Sequence, residues 1–317
     1  MLEQILNSEA FFLTMALLAS TLRMATPLGL AAMGAVYSER AGVVNLGLEG
    51  LMLVGAFFGV LGSYLTGNAW LGVLLAVISG GVLAFLLALV TLRYKANHVV
   101  AGVALNLLSL GLTSVLLVAI WGNRGKSADV EGIYPVNIPF LSDIPVLGEI
   151  FFRQSPFFYL LIILMVISWF LFYRTKWGLR LRAIGENPAA VDSLGIPVNT
   201  YKYIAVIAGG MLAALGGAYL SLGELSLFGR NMVSGRGYIA LAANILGNWN
   251  PVGVVLSSLL FGFANAVEMN LQLYGWPTQF VQMIPYVVTI FVLGGLVRKV
   301  EAPKALGEHF DRGDTHV

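Results

Sequence analysis

The sequence predicts an all-α, polytopic helical membrane protein of about 8–10 transmembrane helices, some of which can be broken or re-entrant. Three observations carry that prediction. Hydrophobic residues make up 58% of the 317. Charged residues make up 11%, too few to cover a soluble globule, which uses about 25%. Apolar runs close to the roughly 20 residues that cross a bilayer recur along the whole length. The same composition excludes other classes. A net charge of +2 leaves no basic excess to drive nucleic-acid binding. The absence of cysteine removes disulfides, thiol chemistry and zinc–thiolate sites. The three histidines, His98, His309 and His316, are scattered, so no histidine-built metal site is expected.

The elements follow in order. No Lys or Arg precedes Arg23, so residues 11–36 are expected to stay in the mature protein rather than form a cleaved leader. Apolar runs fall at 10–36, 46–66, 71–92, 99–121, 156–173, 203–222, 237–249, 251–270 and 283–297. The first contains Pro27, which removes a backbone donor, so a kink or split is expected there. The second holds Gly55 and Gly59 at Gly-x-x-x-Gly spacing, read as a helix-packing face. Leu71 to Leu92 carries no charge and is the clearest span. The seventh is short and ends at Trp249-Asn250-Pro251, which suits a re-entrant segment.

Lys and Arg orient the spans. The connections 37–45, 93–98, 174–202 and 298–317 carry 12 of the 18 positive residues, and the alternate connections carry 5. Positive charge is retained on the cytoplasmic side, so 174–202 reads as a cytoplasmic loop, 122–155 as an extracellular loop and 298–317 as a cytoplasmic tail. Residues 1–317 then form a single membrane domain with nine spans. Trp70, Trp121 and Trp276 at outer ends, and Trp177 and Trp249 at inner ends, fit aromatic belts at the headgroups, with Trp169 one turn in.

Three stretches stand out. In Glu39-Arg40-Ala41-Gly42-Val43-Val44-Asn45-Leu46-Gly47-Leu48-Glu49-Gly50, Asn45 and Glu49 are spaced i, i+4 and would share a helix face. A carboxylate inside an apolar run costs about 2.5–3.5 kcal/mol and should face the bundle interior or water. Glu49 reads either as a translocation-path or gate residue, or as a solvated helix start. The second stretch, Gly235 to Pro251, is rich in small residues and suits a broken helix lining a path, or a packing face. The third is Arg182 to Ile196. There Asn187 fits an N-cap, Pro188 the first helical position and Gly195 the C′ residue, framing a short helix with an Ala189/Ala190 face. Such a helix is either a knob for a partner's groove or a plain connector. Arg23, Asn106, Glu224, Asn265, Glu268, Gln282 and Tyr286 are further polar residues at membrane depth. Their amides favour a neutral, hydrogen-bonding solute.

Together these stretches resemble the permease subunits of bacterial ABC importers in the branched-chain amino acid/ribose permease family. The similarity is closest to the nucleoside (guanosine-type) and simple-sugar branch. Residues 39–50 are close to that branch's N-terminal signature. Gly185-Glu186-Asn187-Pro188-Ala189-Ala190 looks like its ATPase-coupling loop. Gly237 to Ala243, Asn248 to Pro251 and Pro285-Tyr286 resemble its C-terminal features. The resemblance covers about residues 20–297. It implies a multi-pass protein of the bacterial cytoplasmic membrane that translocates nucleosides, purine nucleosides above all, or a related neutral solute such as a simple sugar. Its partners would be a second homologous permease, cytoplasmic ATP-binding subunits and an extracellular substrate-binding lipoprotein. ATP would be used by the partner ATPase, with no cofactor in this chain, and the absence of a P-loop agrees. Gly185, Glu186, Asn187, Ala189, Ala190 and Gly195 would couple to the ATPase. Asn45, Glu49, Asn106, Asn244 and Tyr286 would line the path. A proton-coupled secondary transporter using Glu49, Glu224 or Glu268 is the competing reading. A structural membrane scaffold is a third, and it leaves the intramembrane carboxylates without a purpose.

Overall fold

In a computed structural model of the chain, residues 9–137, 147–273, 277–291, 294 and 301–310 are described. The described residues are helical, with one isolated antiparallel bridge. The helices are α1 (Glu9–Arg40), α2 (Leu48–Thr66), α3 (Ala69–Ala88, continued by a π-turn to Arg93), α4 (His98–Trp121) and α5 (Leu147–Phe151). Then come α6 (Pro156–Arg174), α7 (Lys176–Glu186), α8 (Pro188–Asp192) and α9 (Val198–Ala218, continued by a π-turn, Tyr219–Leu225). Last are α10 (Arg236–Leu246), α11 (Pro251–Leu273), α12 (Thr278–Val281) and α13 (Ile284–Phe291).

Among the described residues, seven helices are long and apolar enough to cross a membrane: Thr14–Arg40 within α1, α2, α3 with its π-turn, α4, α6, α9 with its π-turn, and Pro251–Gln272 within α11. The chain is therefore a multi-pass membrane protein. The helix through Pro27 is not split. Helix α9 lies at the centre, packed against α1, α2 and α3; α2 and α3 pack on each other, and α11 lies against α1. Small residues allow that approach. A methyl group built at Gly55 would sit 2.5 Å from the Ala214 Cα, so α2 and α9 touch through their backbones, as the Gly-x-x-x-Gly reading expected. The outer faces of α4 and α6 expose Val100, Leu107, Val115, Ile163 and Val166, a surface stable only in lipid or against another apolar chain.

The seventh predicted span takes a different form. Helix α10 has 11 residues, about 16 Å of rise, half of what a bilayer core requires. Between Ser226 and Gly235 the chain runs as irregular backbone. The Phe228 ring lies 5.1 Å from that of Phe57 in mid-α2, while Trp249, past the end of α10, meets Arg40 at the end of α1. The crossing is thus half loop and half helix, and it is not re-entrant. The irregular half is tolerated because its carbonyls are paired. Ser127, Val130 and Ile133 donate to Phe228, Ser226 and Leu222 at 2.9, 2.9 and 2.7 Å. Part of the 122–155 connection is therefore a packed segment. The 174–202 connection is likewise structured, holding α7, α8 and the first turn of α9.

Residues 301–310 contact Gly42, Gly185 and Asn248, at the same end as Arg40. That end is called the basic end below. The chain therefore returns to it between residues 273 and 301. Of the predicted span 283–297, Met283, α13 and Gly294 are described, and the remainder lies outside the described residues, as do Trp276 and residues 298–300 and 311–317 of the tail.

One tryptophan assignment changes: Trp249 is buried in the protein rather than set in a headgroup belt. Trp177, half-buried, packs on Phe172 and Tyr201. Trp70, by contrast, is exposed at the start of α3, as a belt residue should be.

Candidate functional site

Two helices begin inside the bundle and face the same carboxylate. The motif Glu39–Gly50 does not form a single helix from Asn45 onward. After the turn at Ala41-Gly42 the chain has no regular structure over 43–45, and α2 starts at Leu48. The Val44 N–H donates to His98 Nδ1 at the start of α4, whereas the Gly50 N–H donates to Asn106 Oδ1 eight residues further along it. The N-terminus of α2 therefore lies about 12 Å into α4 from its basic end. Asn45 is outside the helix, so the expected i, i+4 face with Glu49 does not exist. Its buried carboxamide has no hydrogen-bond partner among the described residues.

Glu49 sits in the first turn of α2. Its Oε1 accepts the Gly235 N–H at 2.7 Å and its Oε2 the Gly237 N–H at 2.7 Å. Those amides belong to the start of α10, where the first N–H groups of a helix lack intrahelical partners and the dipole favours an anion. The two starts are in contact, since a methyl group at Gly237 would fall 2.5 Å from the Glu49 Cα. Gly235 has φ +86°, the left-handed conformation that turns the descending loop into α10 without cost to a side chain. Asn106 completes the junction. Its Nδ2 donates to the Leu46 carbonyl at 2.9 Å and to Tyr238 Oη at 3.0 Å. Glu49 and Asn106 are thus brought together, as fasteners of two helix starts.

Beside that junction lies a cavity of about 620 Å³. Its polar lining is Glu224 from the π-turn after α9, Ser234 and Arg236 from the start of α10 and the loop before it, Asn265, Glu268 and Gln272 from α11, and Gln282. Met24, Met232 and Met269 supply apolar, adaptable surface. The π-turn at Tyr219–Leu225 carries Glu224 into this lining, the kind of local departure that recurs at functional sites. Gln272 donates to Glu268 Oε1 at 3.1 Å, and Arg236 Nη1 donates to the Met232 and Val233 carbonyls at 3.0 and 3.3 Å. The site offers both donors and acceptors, and its volume is that of a small-molecule pocket. Glu224, Asn265, Glu268 and Gln282 were legible as polar residues at membrane depth. Gln272 was missed, although its i, i+4 spacing from Glu268 signals the pair. None of Asn45, Glu49, Asn106 and Asn244 lines the cavity. Tyr286 lies on α13, and its side chain is outside the described residues.

The far end of α10 is tied to the basic end of α1. Glu39, 4% exposed, accepts from Asn244 Nδ2 at 2.8 Å and from Trp249 Nε1 at 2.5 Å. Arg40 donates through Nε to the Trp249 carbonyl at 2.8 Å and through Nη2 to the Asn248 carbonyl at 3.1 Å. Asn244, expected on the path, holds this lock instead. Glu39 was quoted in the motif without a role, and its buried carboxylate gives α10 a fixed lower end.

The coupling-loop frame forms as the capping chemistry requires. Asn187 Oδ1 accepts the Ala190 N–H at 3.0 Å, Pro188 opens α8, and Gly195 turns the chain at φ +76°. The helix ends at Asp192, with Ser193 as its cap, so Gly195 stands one position beyond C′. Glu186, Asn187, Ala189, Ala190 and Gly195 are exposed, and Leu194 is 76% exposed, while Val191 packs inward on Ile184 and Val198. Gly185 differs from the rest. It is buried, with its Cα facing the Arg40 carbonyl, so it offers no surface to a partner. Among the described residues no cluster of His, Cys, Asp and Glu is placed to hold a metal ion.

Comparison with known proteins agrees with this architecture. The family described as branched-chain amino acid transport system / permease component matches residues 17–293. The nucleoside ABC transporter permease protein NupC of Lactococcus lactis is 40% identical over 305 residues, covering 93% of this chain and 96% of that one. The guanosine ABC transporter permease protein NupQ of Bacillus subtilis is 39% identical over the same shares. A second guanosine permease of that organism, NupP, is 26% identical over 86% of this chain and 79% of its own.

Proposed function

The chain belongs to the branched-chain amino acid transport system permease family, and we propose that it carries nucleosides inward as one of two permeases driven by partner ATPases. The observation that carries the cargo class is the cavity beside the α2–α10 junction. Its amides, one guanidinium and two carboxylates present hydrogen-bond donors and acceptors at one place, with methionine surface between them. A nucleobase edge displays both kinds of group, and its flat apolar face suits thioether contact. Guanosine and nucleoside permeases are the relatives at about 40% identity, which supports the same class.

In this reading α10 is the moving part. It is short, begins at the cavity floor and ends at the basic end, where the Glu39 lock and the coupling helix α8 lie nearby. A partner ATPase seated on Ala189, Ala190 and Leu194 would displace α8, and Gly185 would pass that displacement to Arg40 and so to the end of α10. ATP is hydrolysed in the partner, and a substrate-binding lipoprotein delivers the solute from outside. The similarity to both NupQ and NupP of one organism supports a pair of unlike permeases.

Glu224 and Glu268 give the proton-coupled reading its only footing, since Glu49 is already committed to two backbone amides. Uptake of radiolabelled guanosine into proteoliposomes holding this chain, a second permease, the ATPase and the binding protein separates the two. Uptake that requires ATP and persists with a protonophore is expected. Uptake by this chain alone, abolished by the protonophore, would overturn the reading.

A further inference from the structure

The tail carried no motif, yet residues 301–310 are docked in order along the elements of the coupling route. The Glu301 N–H donates to Asn248 Oδ1 at 3.3 Å, at the end of α10. The Ala305 N–H donates to the Gly185 carbonyl at 2.9 Å, at the end of α7. The Gly307 N–H donates to the Gly42 carbonyl at 3.0 Å, in the turn after α1. The His309 ring stands edge-on to His98, at the start of α4, with centroids 5.1 Å apart. Phe310 packs into the cluster of Ile184, Val191 and Val198 beneath the coupling helix. Ala305 is 2% exposed. Under the same segment, Lys202 of α9 is 1% exposed, with no hydrogen-bond partner for its ammonium among the described residues, beside Gly42.

These contacts have a mechanical consequence. Just before the coupling helix, the end of α7 meets α1 through Gly185 against the Arg40 carbonyl. The tail puts an N–H donor on each side of that contact, one to Gly185 and one to Gly42, and closes the group by bonding Asn248. We propose that residues 301–310 are a transmission strap that binds the coupling helix to the Glu39–Gly50 motif and the end of α10, so that the three move as one body when the ATPase acts. This rests on the ATP-driven reading above. The role is one of positioning, because the strap touches neither the cavity nor the exposed face of α8.

The test compares the full chain with one ending at Val300, in the complete importer reconstituted in proteoliposomes. Guanosine uptake and ATP hydrolysis are measured on the same vesicles. The truncated complex is expected to keep its hydrolysis while uptake falls about tenfold, a loss within the usual range of coupling between sites. Unchanged uptake per ATP would overturn the strap. If the truncated chain does not assemble, single cysteines in the full-length chain decide, since no native thiol competes. The Ala305→Cys thiol should resist a water-soluble maleimide with and without ATP, while Lys304→Cys, exposed next to it, reacts at once. Equal labelling of the two would mean that the segment is undocked and would overturn the proposal. Failure of the ATP-driven reading looks different, because the complex holding the full-length chain would then show no ATP hydrolysis in response to solute.

Discussion

Glu49 turns a costly residue into a junction. A carboxylate at membrane depth needs partners, and the start of a helix has amides that need acceptors. Each oxygen takes one backbone N–H of α10, and nothing in that arrangement calls for a transferable proton. Glu49→Gln keeps one acceptor and turns a second donor toward the other amide, so one bond is lost. The expected cost is about 1–3 kcal/mol, and Glu49→Leu, which leaves both amides bare, should cost roughly twice that. Thermal unfolding of the purified variants should rank them wild type, Gln, Leu, with uptake reduced in the first variant and absent in the second. Equal melting for all three would remove Glu49 from the junction. A comparable effect is expected at the other end of α10. Trp249→Phe keeps a six-membered ring but loses the pyrrole half of the indole and its donor to Glu39, leaving the Asn244 bond, and should lower stability by about 2–4 kcal/mol in the same assay.

Helix α8 shows what a local sequence can specify. Asn187, Pro188 and Gly195 each act through their own backbone or its nearest neighbours, so the frame was readable without knowledge of the fold. The long apolar spans were readable for the same reason, because the bilayer imposes their length. The late start of α2 was not, although the short, broken form of α10 was expected from its small residues and its length. The glycine-rich motif 39–50 suits a helix from Asn45 as well as one from Leu48, and the choice was made by Asn106, 56 residues away from Gly50, which caps the later start. The cavity was half legible for a similar reason. Its polar residues are visible at membrane depth, but which of them converge depends on α9, α11 and the loop before α10 meeting in space. Helix α8 also yields a direct prediction. Ala189 is exposed and outside the lipid-spanning helices, so Ala189→Trp should leave expression and melting unchanged. If α8 seats in an ATPase groove, the bulky ring should abolish co-purification of the ATPase and ATP-driven uptake together. Wild-type uptake by this variant would make α8 a simple connector.

The whole chain must also sit the right way round for any of this to work. Crossings alternate, so two sites separated by one transmembrane helix face opposite sides of the membrane. Arg124 follows α4, Leu194 precedes α9, and α6 is the only one of the seven long apolar helices between them. The basic end gathers Arg40, Arg93, Lys95 and the positive residues of 174–202, which by charge retention should be cytoplasmic. Both positions are exposed, and the chain has no cysteine of its own. In intact cells a membrane-impermeant maleimide should therefore label Arg124→Cys and spare Leu194→Cys, and permeabilised cells should label both. Labelling of both in intact cells would mean that α6 does not cross. A reversed pattern would place the coupling helix outside, where no ATPase could reach it, and the ATP-driven mechanism would fall with the orientation.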